Sequence, residues 1–260
     1  MLSIRQSNAV SSNVALDEID AQPDESNSAW LNRVGARDGV ILLGGASVAH
    51  FRIRVAQSHA RADSKPSAWS VVGMLMADQT FLSVPLDLRG EASEVPLWNG
   101  VQTCKVADYD NPAQFPNIAV VRFTNDHKKI LDLAAVVCGD LEKRPAQRGI
   151  IDLPALMLPW LSYIWIVGKA PNPLTEGIGL PSAAFVETIY GMAGIELTPG
   201  LASSTSCPEA IWQAAKYWHE FYEQASGGTQ ETDAAHQIPT GHYTQRQKAA
   251  AVTWPIEKKY

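Results

Sequence analysis

The order of its patterns constrains this chain more than its composition does: every run of strand-forming residues lies ahead of the main helical stripes. Gly39–Leu43 (GVILL) is a short, wholly apolar run, the pattern of a strand buried on both faces. Ser70–Met76 (SVVGMLM) and Thr80–Val84 (TFLSV) read as two strands around the turn Ala77-Asp78-Gln79, and Val101–Val106 and Ile118–Phe123 (IAVVRF) are further candidates. After them the period changes. Ile130, Leu133, Ala134, Val137 and Leu141 recur at helical spacing, with Pro145 marking the end. Phe185, Val186, Ile189, Tyr190 and Ala193 make a second stripe, stopped by Gly194. A third helix carries Ile211, Ala214, Ala215, Trp218 and Phe221, and Ser206 and Glu209 before it have the spacing of a capping box, with Pro208 in the first turn. Strands first and helices after predict an α+β domain, a central antiparallel sheet packed against helices.

The 260 residues are 46% apolar and 18% charged, enough apolar material for a sizeable core without disulfide or metal staples. Residues 1–28 are rich in Ser, Asn, Asp and Glu and read as a mobile arm. Residues 29–225 carry the core signals, and residues 226–260, opening on Ser226-Gly227-Gly228, read as a polar tail in which only Trp254 and Ile256 invite docking. The net charge is −6 and no Lys/Arg run stands out, so no nucleic-acid surface is expected.

The first residues lack the apolar core of a signal peptide, and the longest apolar stretch, Leu153 to Val167, is shorter than a membrane span and holds Pro154 and Pro159. No integral membrane segment is expected, and the chain reads as cytoplasmic or exported without such a peptide. Cys104, Cys138 and Cys207 are too few and too widely spaced for a disulfide framework or zinc site. His219, His236 and His242 have no ligand-like spacing, so neither metal nor cofactor is expected. The stretch 153–174, with Trp160, Tyr163 and Trp165, offers large contact area with polar handles; it reads either as core or as the wall of a binding cleft.

Three segments together resemble the permuted NlpC-like members of the papain fold, a superfamily of cysteine peptidases and amidases. Residues 181–197 (PSAAFVETIYGMAGIEL) look like the family's nucleophile helix: Phe185-Val186 match its apolar pair and Ala193-Gly194-Ile195 its exit, so Ser182 falls on the Cys position. Residues 198–211 (TPGLASSTSCPEAI) resemble the segment leading into the next helix. Residues 39–76 resemble the other half, where Trp69, Ser70, Val72 and Gly73 fit the histidine strand and Val71 stands on the His position.

What the resemblance implies is a helix beginning at Ser182 that packs on the Ser70–Met76 strand with Val71 facing it. The cleft would be lined by Trp69, Ser70, Tyr163, Trp165 and Pro181. Such enzymes need a thiolate at a helix N-terminus, an imidazole beside it and a polar residue orienting the imidazole. Here valine cannot take a proton, and Ser83, Val84 and Asp87 supply no convincing orienting group. A hydroxyl without a base is a poor nucleophile. His50, His59 and Cys207 are the available surrogates. The departures point to a degenerate binding or adaptor module, of bacterial type, for a protein, peptide or cell-wall fragment. The alternative is an active cysteine- or serine-type hydrolase with a relocated nucleophile or base, a peptidoglycan amidase, peptidase or acyl hydrolase in the manner of a secreted antibacterial effector. The sequence leaves the oligomeric state open.

Overall fold

The computed structural model describes residues 16–86, 100–143, 150–165, 170–226 and 239–247. In chain order these form β1 (Leu16–Glu18), α1 (Asn27–Val34), β2 (Gly39–Gly44), α2 (Val48–Ala56), β3 (Val71–Leu75), β4 (Thr80–Ser83), β5 (Gln102–Lys105) and β6 (Asn117–Arg122). They continue as α3 (His127–Lys143), α4 (Leu153–Trp165), α5 (Pro181–Met192), α6 (Pro208–Ser226) and β7 (Thr240–Gln245). The architecture is α+β. A seven-stranded sheet runs in the order β1-β7-β6-β2-β3-β4-β5. Every neighbouring pair is antiparallel except β1 with β7, so the expected antiparallel sheet becomes mixed at that edge.

β2 is buried at every residue, as an apolar run in a sheet interior must be. Its side chains alternate between two layers. Val40 and Leu42 join Val72 and Met74 of β3 and Ala119 and Val121 of β6, and they pack against Ile130, Val137, Phe185, Val186 and Ile211 of the helices. Ile41 and Leu43 join Val71, Leu75, Ile118 and Val120 on the opposite face, under Trp30 and Leu31 of α1 and against Phe115. The period of two along each strand thus divides one sheet between two cores. The β3–β4 turn falls where the sequence placed it. Gln79 takes a positive φ of 62°, and the Asp78 carboxylate accepts from the backbone N–H and the hydroxyl of Thr80.

Several elements fall outside the sequence reading. Ser26 caps α1 by accepting from the Ala29 N–H, and Gly35, at φ 71°, closes it in the left-handed region. Ser47 caps α2 in the same way through the His50 N–H. β1 lies within the segment read as a mobile arm and β7 within the segment read as a loose tail, yet β7 pairs with β6 along its whole length. The physical reason is that a ladder of main-chain hydrogen bonds needs no apolar side chains when the strand is only half covered. Trp254 and Ile256 lie outside the described residues.

The 153–174 stretch supplies α4, whose first turn is held by the Asp152 carboxylate accepting from the Ala155 N–H. Pro154 sits in that first turn, where no backbone donor is needed, and Pro159 interrupts the helix interior. No helix among the described residues is long and apolar enough to cross a membrane.

Candidate functional site

α5 is the helix that the sequence marked as the nucleophile helix, and it begins with Pro181 followed at once by Ser182. Almost all of its faces are covered, with Pro181 through Glu187, Ile189 and Tyr190 buried. α5 lies across β3 and β4 and beside α3, α4 and α6. The expected packing of this helix on the Ser70–Met76 strand is therefore present.

The expected facing of Val71 is not. Val71 belongs to the layer with Ile41, Leu43, Phe81 and Trp30, whereas Ala183, Ala184, Phe185 and Val186 belong to the other. Neighbouring strand residues point to opposite faces of a sheet, and it is Val72 that meets the α5 side. Ser182 itself is buried at 3% exposure, and among the described residues no histidine or carboxylate is hydrogen-bonded to its hydroxyl. Ser83, on the strand where an orienting group was sought, donates its hydroxyl to the Val72 carbonyl at 2.6 Å. Asp87 lies outside the described residues.

The surrogates lie elsewhere. His50 on α2 is buried, edge-on to Phe115 with ring centres 5.0 Å apart, and its ring fills the space a side chain at Gly45 would need. His59 is exposed on the single-turn helix Ser58–Ala60, its Nδ1 3.1 Å from the Ala56 carbonyl. Cys207 does precede a helix start, but burial pushes its thiol up to about 12, so the helix dipole is outweighed and no thiolate forms near neutrality.

The proposed cleft residues do not converge either. Trp69 is fully buried and edge-on to Trp212. Ser70 is buried, accepting from the Gly45 N–H at 3.0 Å and lying 3.3 Å from the Leu43 carbonyl, and Pro181 is buried in the first turn of α5. Tyr163 is half-buried beneath the Arg52 guanidinium, 5.0 Å from its ring centre, and Trp165 stands exposed at the end of α4. His219 and His242 have no common metal site, and among the described residues no group of three metal-ligating side chains occurs; His236 lies outside them.

What the structure does bring together is two buried carboxylates. Glu209 is fully buried. It accepts from the Ser67 hydroxyl at 2.5 Å and from the Gln213 amide, and Arg61 stands 3.4 Å away. Its own N–H donates to Gln57 Oε1 at 2.9 Å, and Gln57 Nε2 donates onward to the Trp69 carbonyl. Ser206 was expected to share a capping box with Glu209. Instead α6 starts at Pro208, and the Ser206 hydroxyl turns to Glu187 at 2.8 Å. Glu187, on α5, also accepts from the Thr198 hydroxyl at 2.5 Å. Glu187 ties the middle of α5 to the segment leading into α6, and Glu209 ties the first turn of α6 to the loop before β3. Sequence reasoning gave Glu209 only a capping role and passed over Glu187, for which the available signal was a lone acid inside an otherwise apolar helix.

Neither a protein-family model, nor a curated protein, nor a solved structure matches this chain.

Burial raises the Glu187 carboxyl above its ordinary value of 4.5, against the pull of its two hydroxyl donors. Its protonated form is thus the one the fold favours. The stability this contributes is full below the ordinary carboxylate value and is lost as pH rises through the raised one. Glu187→Gln keeps an oxygen for both hydroxyls and removes the titration. We expect the difference in unfolding free energy, variant minus parent, to rise with pH across that window when measured by urea denaturation. A difference that stays flat or falls would contradict this assignment.

Proposed function

We propose that the chain is a non-catalytic binding module, a degenerate relative of the permuted papain-like fold, whose ligand is a protein, a peptide or a cell-wall fragment. The single observation that carries the non-catalytic part is that Val71 packs in the layer opposite the one that Ala183, Ala184, Phe185 and Val186 of the helix beginning at Ser182 pack into. A nucleophile needs its base within hydrogen-bond reach. Here no such base touches Ser182 among the described residues, and restoring a histidine at Val71 would place it across the sheet. The three resembling segments and the seating of α5 on β3 support the family reading. The exposed aromatic residues Tyr217 and Phe221 of α6, beside Trp218 and Tyr222, support a binding role.

The test is a side-by-side comparison of the protein and Ser182→Ala on muropeptides, acyl esters and denatured protein, with a pull-down from bacterial lysate by each. We expect no turnover by either and capture of the same partner by both. General-base help is typically worth about 10²–10⁴-fold in rate, so a hydroxyl without it turns over too slowly to register. Turnover that disappears in Ser182→Ala overturns the reading.

A further inference from the structure

Arg54 presents a charge problem that the described residues do not solve. It lies on α2 at 0% exposure. Its Nε donates to the Ser67 carbonyl at 2.6 Å, and its Nη1 to the Gly45 carbonyl at 3.3 Å and to Gln247 Oε1 at 3.0 Å. Its Nη2 is buried and has no partner among the described residues. Among the described residues no carboxylate lies within ion-pair distance of it, and the neighbouring charge that it feels is a second cation, Arg61. Arg61 already has Asp63 and Glu209. Burial pushes the Arg54 guanidinium down to about 10, so at neutral pH it remains a cation. A buried cation whose partners are all neutral, with one nitrogen unused, is an expensive arrangement unless something anionic completes it.

The surroundings show where that partner enters. Ser67 and Gly45 contribute main-chain carbonyls fixed by the fold. The Ser67 N–H donates back to the Arg54 carbonyl, and Gly44 and Gly45 approach Ala68 and His50 too closely for any side chain. Gln247 is different. Its main chain is pinned to Asn117 by two hydrogen bonds, while its side chain is only half-buried and contributes a neutral amide oxygen to Arg54. Its amide oxygen occupies one position of the guanidinium fork, as one oxygen of a carboxylate would. Turning it aside presents Nη1 and Nη2 together, two parallel donors at the spacing a planar carboxylate matches. Among the described residues the one charge that Arg54 feels, Arg61, is already paired with Asp63 and Glu209, which suits a single-charged planar group better than a phosphate.

We infer that Arg54 is the centre of a carboxylate-binding site gated by the Gln247 side chain. This goes beyond the binding role proposed above and uses none of the residues around Ser182, so either can fail without the other.

The test uses the full chain and its Gln247→Glu variant, which places a carboxylate of the same shape on the fork. Melting temperatures are read in sodium acetate against sodium chloride at equal ionic strength, and in sodium phosphate. In chloride, Gln247→Glu should melt higher than the parent. In acetate the parent should gain roughly 2–4 °C more than the variant, because acetate's general salt effect acts on both and only the parent has the fork to fill. Equal acetate shifts in the two proteins would overturn the site. A variant that melts lower in chloride would show that Arg54 is not an uncompensated cation, with the same consequence. Stabilisation of the parent by phosphate and not by acetate would overturn the carboxylate assignment.

Discussion

Glu209→Ala is expected to lower the unfolding free energy by about 3–5 kcal/mol, a fall in melting temperature of roughly 10 °C. The carboxylate is completely buried and receives Ser67, Gln213 and Arg61 at once. Alanine leaves those donors facing a void, and an unpaired buried donor costs more than its hydrogen bond contributed. The damage reaches further than α6. Ser67 also orders its own loop by accepting from the Trp69 N–H, and that loop leads into β3. Urea titration with an unchanged m-value would report this loss; a change below about 1 kcal/mol would show that water replaces the carboxylate. Glu209→Gln, which retains one acceptor oxygen, should lose less.

The second large effect concerns the two positions that sequence alone pairs. In Ser182→Cys the thiol is expected to titrate at or above the ordinary value of about 8.5, and adding Val71→His should not lower it. Val71 is 3% exposed among Ile41, Leu43 and Phe81, on the face away from α5. An imidazole there meets apolar carbon, so the double variant should instead lose stability. Burial of the polar ring and overpacking each contribute about 1–3 kcal/mol. Alkylation rate against pH, measured on the single and the double variant, separates the cases. Superimposable profiles are expected; a thiol pKa depressed only in the double variant would place Val71 on the α5 side after all.

Much of the frame was legible because burial leaves periodic traces. β2, β3, β4 and β6 stand on runs of β-branched and aliphatic residues, and α3, α5 and α6 on stripes of helical spacing. α1 and α2 had cap signals in Ser26 and Ser47, but their polar, partly exposed faces gave no stripe to follow. β7 (TGHYTQ) is held by main-chain pairing, to which side-chain patterns are blind. The site failed for a narrower reason. Alternation says that Val71 and Val72 face opposite ways, but only the helix docking decides which face meets α5. The spacing of Ser206 and Glu209 was read as local chemistry, yet both side chains are used across long separations in sequence. Arg54 was missed because one arginine in an amphipathic segment looks solvated until its neighbours are known.

The place of β7 has a bearing on how the chain is made. β6 has an apolar, fully buried interior, but one of its two edges is completed only by a strand that comes far later; Asn117 and Gln247, which meet there, are 130 residues apart. At the ribosome's pace of about 5–20 residues per second, that separation corresponds to roughly ten seconds of translation. Through that interval a nascent chain carries an unsatisfied row of amides and carbonyls beside Ile118, Val120 and Val121, and β1 has nothing to pair with. An open strand edge of this kind recruits other chains. Truncation ahead of Thr240 would therefore leave this edge of β6 uncovered, and such a chain is expected to associate with others more readily than the full one.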